Sequence, residues 1–340
     1  MKTLKNTIIL FLLSLILINC SSNPTDPTDP CTNKKIVGFS LSDYPTTNTI
    51  RQADLTFGEF NGNGFINTVP PTQSVTIGRM SPNDANAFNP NTNIYSFLMT
   101  SSHKITNFDK SNNTISEVDL PVGFDGCKGL TYSQITDKYY TVQTTSNATT
   151  LYEFSIPNLT SPIVFSNSIT LYTGTEASDA VLYQSYFGLT TNNAGNLYIL
   201  TNKDIIVVDL TNFTTTTPIF KTFSNPFSSP DKFSGIEYDD VNNRLLYLSS
   251  SPNNNFLELR ETSLPIGTAY GNSVVNLNAY ASDFNYEFHS TVLACDGSYI
   301  ISNHIDNQPQ IETRFIKVDA NNTVNMVTIP NHIFGFQKIN

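Results

Sequence analysis

The sequence predicts an all-β chain folded as a six-bladed β-propeller, and three observations carry that reading. Uncharged polar residues must supply most of the surface of a chain that is 39% hydrophobic and only 14% charged. A tyrosine-bearing strand returns about every fifty residues, each time behind a turn rich in Asn, Asp or Gly. Strand-like segments are also left over at both ends, outside any complete unit.

Composition fixes the class first. Asn, Thr and Ser favour turns and strand faces over helix interiors, and 16 Tyr with 23 Phe and no Trp suit sheets. At 340 residues one large β domain or two ordinary ones would fit. The net charge of -10 becomes -12 without Lys2 and Lys5. An acidic body repels phosphate backbones, which argues against nucleic acid as a partner.

The repeat is read next. Each unit opens on a Gly-apolar strand, turns, and continues into a strand with Tyr. It reads Gly129-Leu130-Thr131-Tyr132 before Lys138-Tyr139-Tyr140, and Gly188-Leu189-Thr190 before Leu197-Tyr198-Ile199. It returns as Gly235-Ile236-Glu237-Tyr238 before Leu246-Tyr247-Leu248, and as Ser290-Thr291-Val292-Leu293 before Tyr299-Ile300-Ile301. An earlier copy holds Ile94-Tyr95-Ser96-Phe97. From Tyr95 through Tyr140, Tyr198 and Tyr247 to Tyr299 the steps are 45, 58, 49 and 52 residues. These five tyrosines are expected at one depth on second strands, with Tyr139 competing with Tyr140 for its slot.

Third and fourth strands follow in each unit, and four antiparallel strands per fifty residues is a blade. Five blades are visible in full. The sixth would join Ile333-Phe334-Gly335-Phe336 as inner strand to strands from 35–77, which leaves no open sheet edge around the ring. Seven blades is the alternative, and a two-sheet sandwich, which needs no such period, a weaker third.

The N-terminus carries an address. Lys2 and Lys5 precede an apolar run from Ile8 to Ile18, too short to span a bilayer but right for a signal-peptide core. The run ends Leu17-Ile18-Asn19-Cys20. This resembles the lipobox of bacterial lipoproteins, with Asn19 where that family carries Gly, Ala or Ser. The resemblance implies a signal peptide over 1–19 and a fatty-acylated (palmitate-type) N-terminus at Cys20. Residues 20–34 would be a tether, since SSNPTDPTDP places proline every third residue and cannot fold. The propeller would occupy 35–340. Ser21, where the enteric version of the family uses Asp for inner-membrane retention, implies the outer membrane. Cys31, Cys127 and Cys295 allow one disulfide and an odd thiol, and their spacing does not choose the pair.

GNLYIL at 195–200 and GIEYDDVNNRLLYLS at 235–249 resemble blades of NHL-type, YVTN-type and gluconolactonase-like propellers. In the last of these, acidic and Asn/Asp side chains from inner strands hold a divalent cation, so calcium is the cofactor the resemblance would allow. By that resemblance Glu237 and Glu287 could hold or activate, with His289 as general base. The Glu-Gly-Pro signature and the tryptophan of that family are absent, and no metal ligands are assigned. Asp125, Lys128, Glu287 and His304, at or near the entries to inner strands, are the binding candidates. The leading expectation is a non-enzymatic binding or scaffold lipoprotein for a protein or glycan. The alternative is a metal-dependent hydrolase or lactonase.

Overall fold

The computed structural model describes Cys31 and residues 34–41, 51–53, 55–77, 85–99, 103–124, 127–145, 147–173, 188–201, 204–213, 219–222, 232–251, 254–266, 271–284, 289–307 and 310–339. Six four-stranded antiparallel sheets follow one another around a ring. Blade 1 is Asn86–Asn89, Ile94–Met99, Lys104–Asp109 and Thr114–Asp119, and blade 2 is Cys127–Ser133, Lys138–Thr144, Ala148–Phe154 and Phe165–Thr173. Blade 3 is Gly188–Thr191, Asn196–Leu200, Asp204–Asp209 and Ile219–Thr222, and blade 4 is Lys232–Asp239, Arg244–Ser251, Phe256–Ser263 and Asn272–Asn276. Blade 5 is His289–Leu293, Tyr299–Asn307, Gln310–Val318 and Val324–Ile329. Each first strand touches the first strand of the next blade, and the sixth touches that of blade 1, so the ring is closed.

Blade 6 is built from both ends of the chain, as the leftover strands predict. His332–Ile339 is its inner strand, followed outward by Lys35–Leu41, Thr56–Phe60 and Phe65–Val69. Lys35 lies opposite Ile339 and Leu41 opposite His332. Residues 35–340 form one compact unit. A two-stranded antiparallel ladder of Arg51–Ala53 with Val75–Ile77 forms its own small sheet, with Val75 buried in the seam of blades 6 and 1.

The hairpins explain why Asn and Asp recur where the sequence turns. A carboxylate or amide oxygen at the first turn position accepts a backbone N–H two residues on. Asn89 does so from Asn91, Asp109 from Ser111, Asn192 from Ala194, Asp296 from Ser298 and Asp319 from Asn321. The residue that closes such a turn takes positive φ, filled by Asn93, Asn113, Gly195, Asn243, Gly297 and Asn322.

Packing between blades is apolar, with one cluster per interface. Val37, Phe39, Phe57, Tyr95 and Phe108 fill the seam of blades 6 and 1, and Leu98, Ile105, Leu130, Tyr139 and Phe154 that of blades 1 and 2. Leu151, Leu197 and Ile206 join blades 2 and 3; Leu200, Ile205, Phe233 and Leu245 join 3 and 4. Leu248, Leu259, Ile301 and Ile316 join 4 and 5, and Phe60, Phe315 and Phe336 join 5 and 6.

All five ruler tyrosines lie on second strands and are buried, but they do not share one face. Tyr140 faces blade 3 opposite Thr131, and Tyr198 faces blade 4 opposite Thr190. Tyr95, Tyr247 and Tyr299 pack instead against the preceding blade. A shift of one residue along a strand reverses the face, so a recurring place after the turn does not give equal placement. Tyr139 and Tyr140 do not compete: they fill the seams on opposite faces of one strand.

Cys31 and Cys295 are each disulfide-bonded, while the side chain of Cys127 lies outside the described residues. So do Cys20 and the segment 1–30. Among the described residues no helix is long and apolar enough to cross a membrane.

Candidate functional site in the central channel

All six inner strands contribute to one partly open cavity of ≈ 160 Å³. Each supplies a polar side chain: Asn86, Thr131, Thr190, Glu237, Thr291 and Gln337. Phe88 and Tyr132 also border it.

A local device turns three of these residues inward. Blades 2, 4 and 6 carry the triplets Gly129-Leu130-Thr131, Gly235-Ile236-Glu237 and Gly335-Phe336-Gln337. Each glycine has φ between 64 and 68°, and the ladder shifts register around it. Such a bulge inserts a residue and re-aims its neighbours. The apolar member goes into the seam with the preceding blade, and the polar member goes to the channel.

The glycine carbonyls are held by hydroxyls. Thr141 Oγ1 donates to Gly129 O at 2.8 Å. The Tyr299 hydroxyl donates to Gly235 O and the Tyr95 hydroxyl to Gly335 O, each from the next blade. A Cβ on Gly235 would stand 2.5 Å from Thr291 Cγ2 and 2.6 Å from the Tyr299 oxygen, so only glycine fits.

Side-chain rungs then tie neighbouring inner strands together. Gln337 Nε2 donates to Asn86 O at 3.2 Å and to Asn86 Oδ1. Thr191 Oγ1 donates to Tyr132 O at 3.2 Å. Between blades 4 and 5 there are two rungs: Thr291 Oγ1 donates to Glu237 Oε1 at 3.1 Å, and His289 Nε2 lies 2.8 Å from Ser234 Oγ.

Glu237 and His289 are therefore brought to the same pair of strands but into separate rungs. Glu237 faces the cavity. His289 is 5% exposed, with its ring 4.8 Å from that of Phe284. His304, on the second strand of blade 5, sits Nδ1 to Nδ1 at 2.7 Å from His332, the first residue of the closing strand. Both rings are buried, and burial, with His304 beside it, holds the His332 imidazole well below the usual histidine range. Asp125 and Glu287 lie outside the described residues. For Lys128 only the backbone is described, opposite Val142. Among the described residues no group of three or more His, Cys, Asp or Glu could hold a metal ion.

Sequence reasoning did not single out Asn86, Thr131, Thr190, Thr291, Gln337 or His332. The signal for three of them was present: the polar residue two places after an inner-strand glycine, which recurs as Thr131, Thr190 and Glu237 and again as Gln337.

No protein-family model matches the sequence, and no curated protein matches it. Solved structures do. TolB from Acinetobacter baumannii aligns with a TM-score of 0.55 at 11% identity, over 89% of this chain and 66% of TolB. A chain of a nidogen/laminin complex aligns at 0.50 and 8%, over 90% of this chain and 98% of that one. Regucalcin, a calcium-binding protein from Agrobacterium tumefaciens, aligns at 0.46 and 13%, over 74% and 76%. The likeness is one of fold. At such identities it carries no residue roles, and the chain spans about two thirds of the TolB chain it matches.

Proposed function

We propose that the chain is an envelope lipoprotein, anchored through Cys20 in the outer membrane, whose propeller binds a protein or glycan partner at the central channel. The observation that carries this reading is the cavity itself, into which all six inner strands turn hydroxyl, amide or carboxylate groups. Few, convergent polar groups in a concave site are what orients a ligand. Glu237 and His289 are each engaged by a hydroxyl across its own rung, which suits a binding surface better than an acid–base pair. The fold neighbours agree in kind, since one of them is a chain crystallised in a protein–protein complex.

The test uses the full mature chain in detergent. A fractionated envelope extract, glycans and proteins separately, is added during thermal melting, because a ligand of the native state raises Tm by mass action. A binding fraction should raise Tm for the wild type and not for Gln337→Leu. If no fraction moves the wild-type Tm, the reading is wrong.

A second reading, a calcium-dependent hydrolase or lactonase, is favoured by one observation: Glu237 brings a carboxylate into the channel. A calcium-induced rise in Tm that Glu237→Gln removes would move the assignment there.

A further inference from the structure

We propose that the channel cavity receives a single uncharged sugar ring, an inference that rests on reading this cavity as the binding site and gives that ligand its chemical class.

Four polar groups in the lining make no hydrogen bond among the described residues. Gln337 spends its Nε2 on Asn86, and Asn86 accepts through O and Oδ1, so Gln337 Oε1 and Asn86 Nδ2 remain. These form an acceptor beside a donor, on two amides already locked to each other. The hydroxyls of Thr131 and Thr190, on the neighbouring pair of inner strands, are the other two. Polar groups turned into a recess are satisfied by water or by a ligand. Adjacent sugar hydroxyls, each able to donate and accept, match an amide acceptor–donor pair and two rotatable hydroxyls.

Size points the same way. An apolar cavity of about 150 Å³ takes one benzene ring, and this cavity of ≈ 160 Å³ is comparable. It is smaller than the roughly 300–1,000 Å³ of sites for drug-sized ligands. Charge selects within the class: among the described residues the lining includes the Glu237 carboxylate and no Lys, Arg or His, so an acidic sugar or a phosphate meets repulsion.

Ligand-observed NMR with the full mature chain tests this directly. The probes are methyl glycosides of glucose, galactose, mannose, rhamnose and N-acetylglucosamine, with methyl glucuronoside and methyl glucosaminide as anionic and cationic counterparts. At least one neutral glycoside should bind saturably and more tightly than methyl glucuronoside. Gln337→Leu and the near-isosteric Thr131→Val should each weaken it tenfold or more, with melting curves confirming that the variants fold. Binding of a charged glycoside alone, abolished by the same variants, overturns the proposal of an uncharged ligand and leaves the channel as a binding site. Binding of none of the probes also overturns it. If in addition no envelope fraction shifts Tm, the binding-site reading falls with it.

Discussion

Replacing Gly235 with alanine tests how inner strands and blade seams are coupled. Gly235 has φ +64, a conformation that costs an L-residue roughly 1–2 kcal/mol. The new Cβ would also stand 2.5 Å from Thr291 Cγ2 and 2.6 Å from the Tyr299 oxygen. The Tyr299 hydroxyl must then leave Gly235 O, at about 1 kcal/mol, and the crowding adds about 1–2 kcal/mol more. The total is about 3–5 kcal/mol. With ~2.1 cal/mol/K per residue of unfolding entropy, the 306 residues of the propeller unit would lose about 5–8 °C in Tm. Gly62→Ala is the matched control, because Gly62 has φ +92 but nothing within 4 Å of the place its Cβ would take. It should cost the backbone share alone, ~1–2 kcal/mol. Calorimetry and urea titration of both variants decide the matter. Equal losses at the two glycines would refute the argument that the bulge is locked by the next blade.

Three further outcomes are expected. Deleting the last eight residues should destabilise the fold far more than deleting Ser21 to Pro30, because 333–339 lie in the inner strand of blade 6; equal shifts in melting would contradict the closure. His332 is buried with its folded-state pKa depressed, so below about pH 6.5 the unfolded chain binds the extra proton. Its contribution is therefore complete above that pH and is lost as pH falls toward the folded value, by up to about 1.4 kcal/mol per unit. Urea midpoints at pH 7.5 and 5.5 should differ, and His332→Gln should flatten the difference. Metabolic labelling with a fatty-acid analogue should mark the wild type and not Cys20→Ser; equal labelling of both would remove the lipid anchor.

Blade number and ring closure were legible because they depend on local chemistry that repeats. Asn and Asp at turn starts, and Asn or Gly at turn ends, mark each hairpin wherever it falls. The faces that the tyrosines take were not legible, since they depend on strand register that a count along the sequence does not see. Tyr140 and Tyr247 occupy the same slot by spacing and opposite seams by register. The channel residues were hidden for a related reason: Thr131 and Gln337 look like ordinary strand polar residues until the glycine two places earlier re-aims them. His304 stood out as a rare residue, but its partner His332 comes from a different blade. Glu237 and His289 lie on adjacent inner strands but in separate rungs, an arrangement that a reading of single residues along the sequence does not reach.

The pairing of Lys35 with Ile339 has a kinetic consequence. It joins residues 304 positions apart, a loop whose closure entropy, scaling as (3/2)RT ln n, is about 5 kcal/mol. That cost falls on the last step, after the other blades have formed their mostly local hairpins. Until synthesis, and the export proposed above, deliver the final strand, Lys35–Leu41 has no inner neighbour, and the Phe39 and Phe57 face of its sheet waits uncovered. A chain of this topology spends its most aggregation-prone interval between the folding of blade 5 and the arrival of His332–Ile339. Its yield should respond to chaperoning during that interval more than to the strength of any single blade.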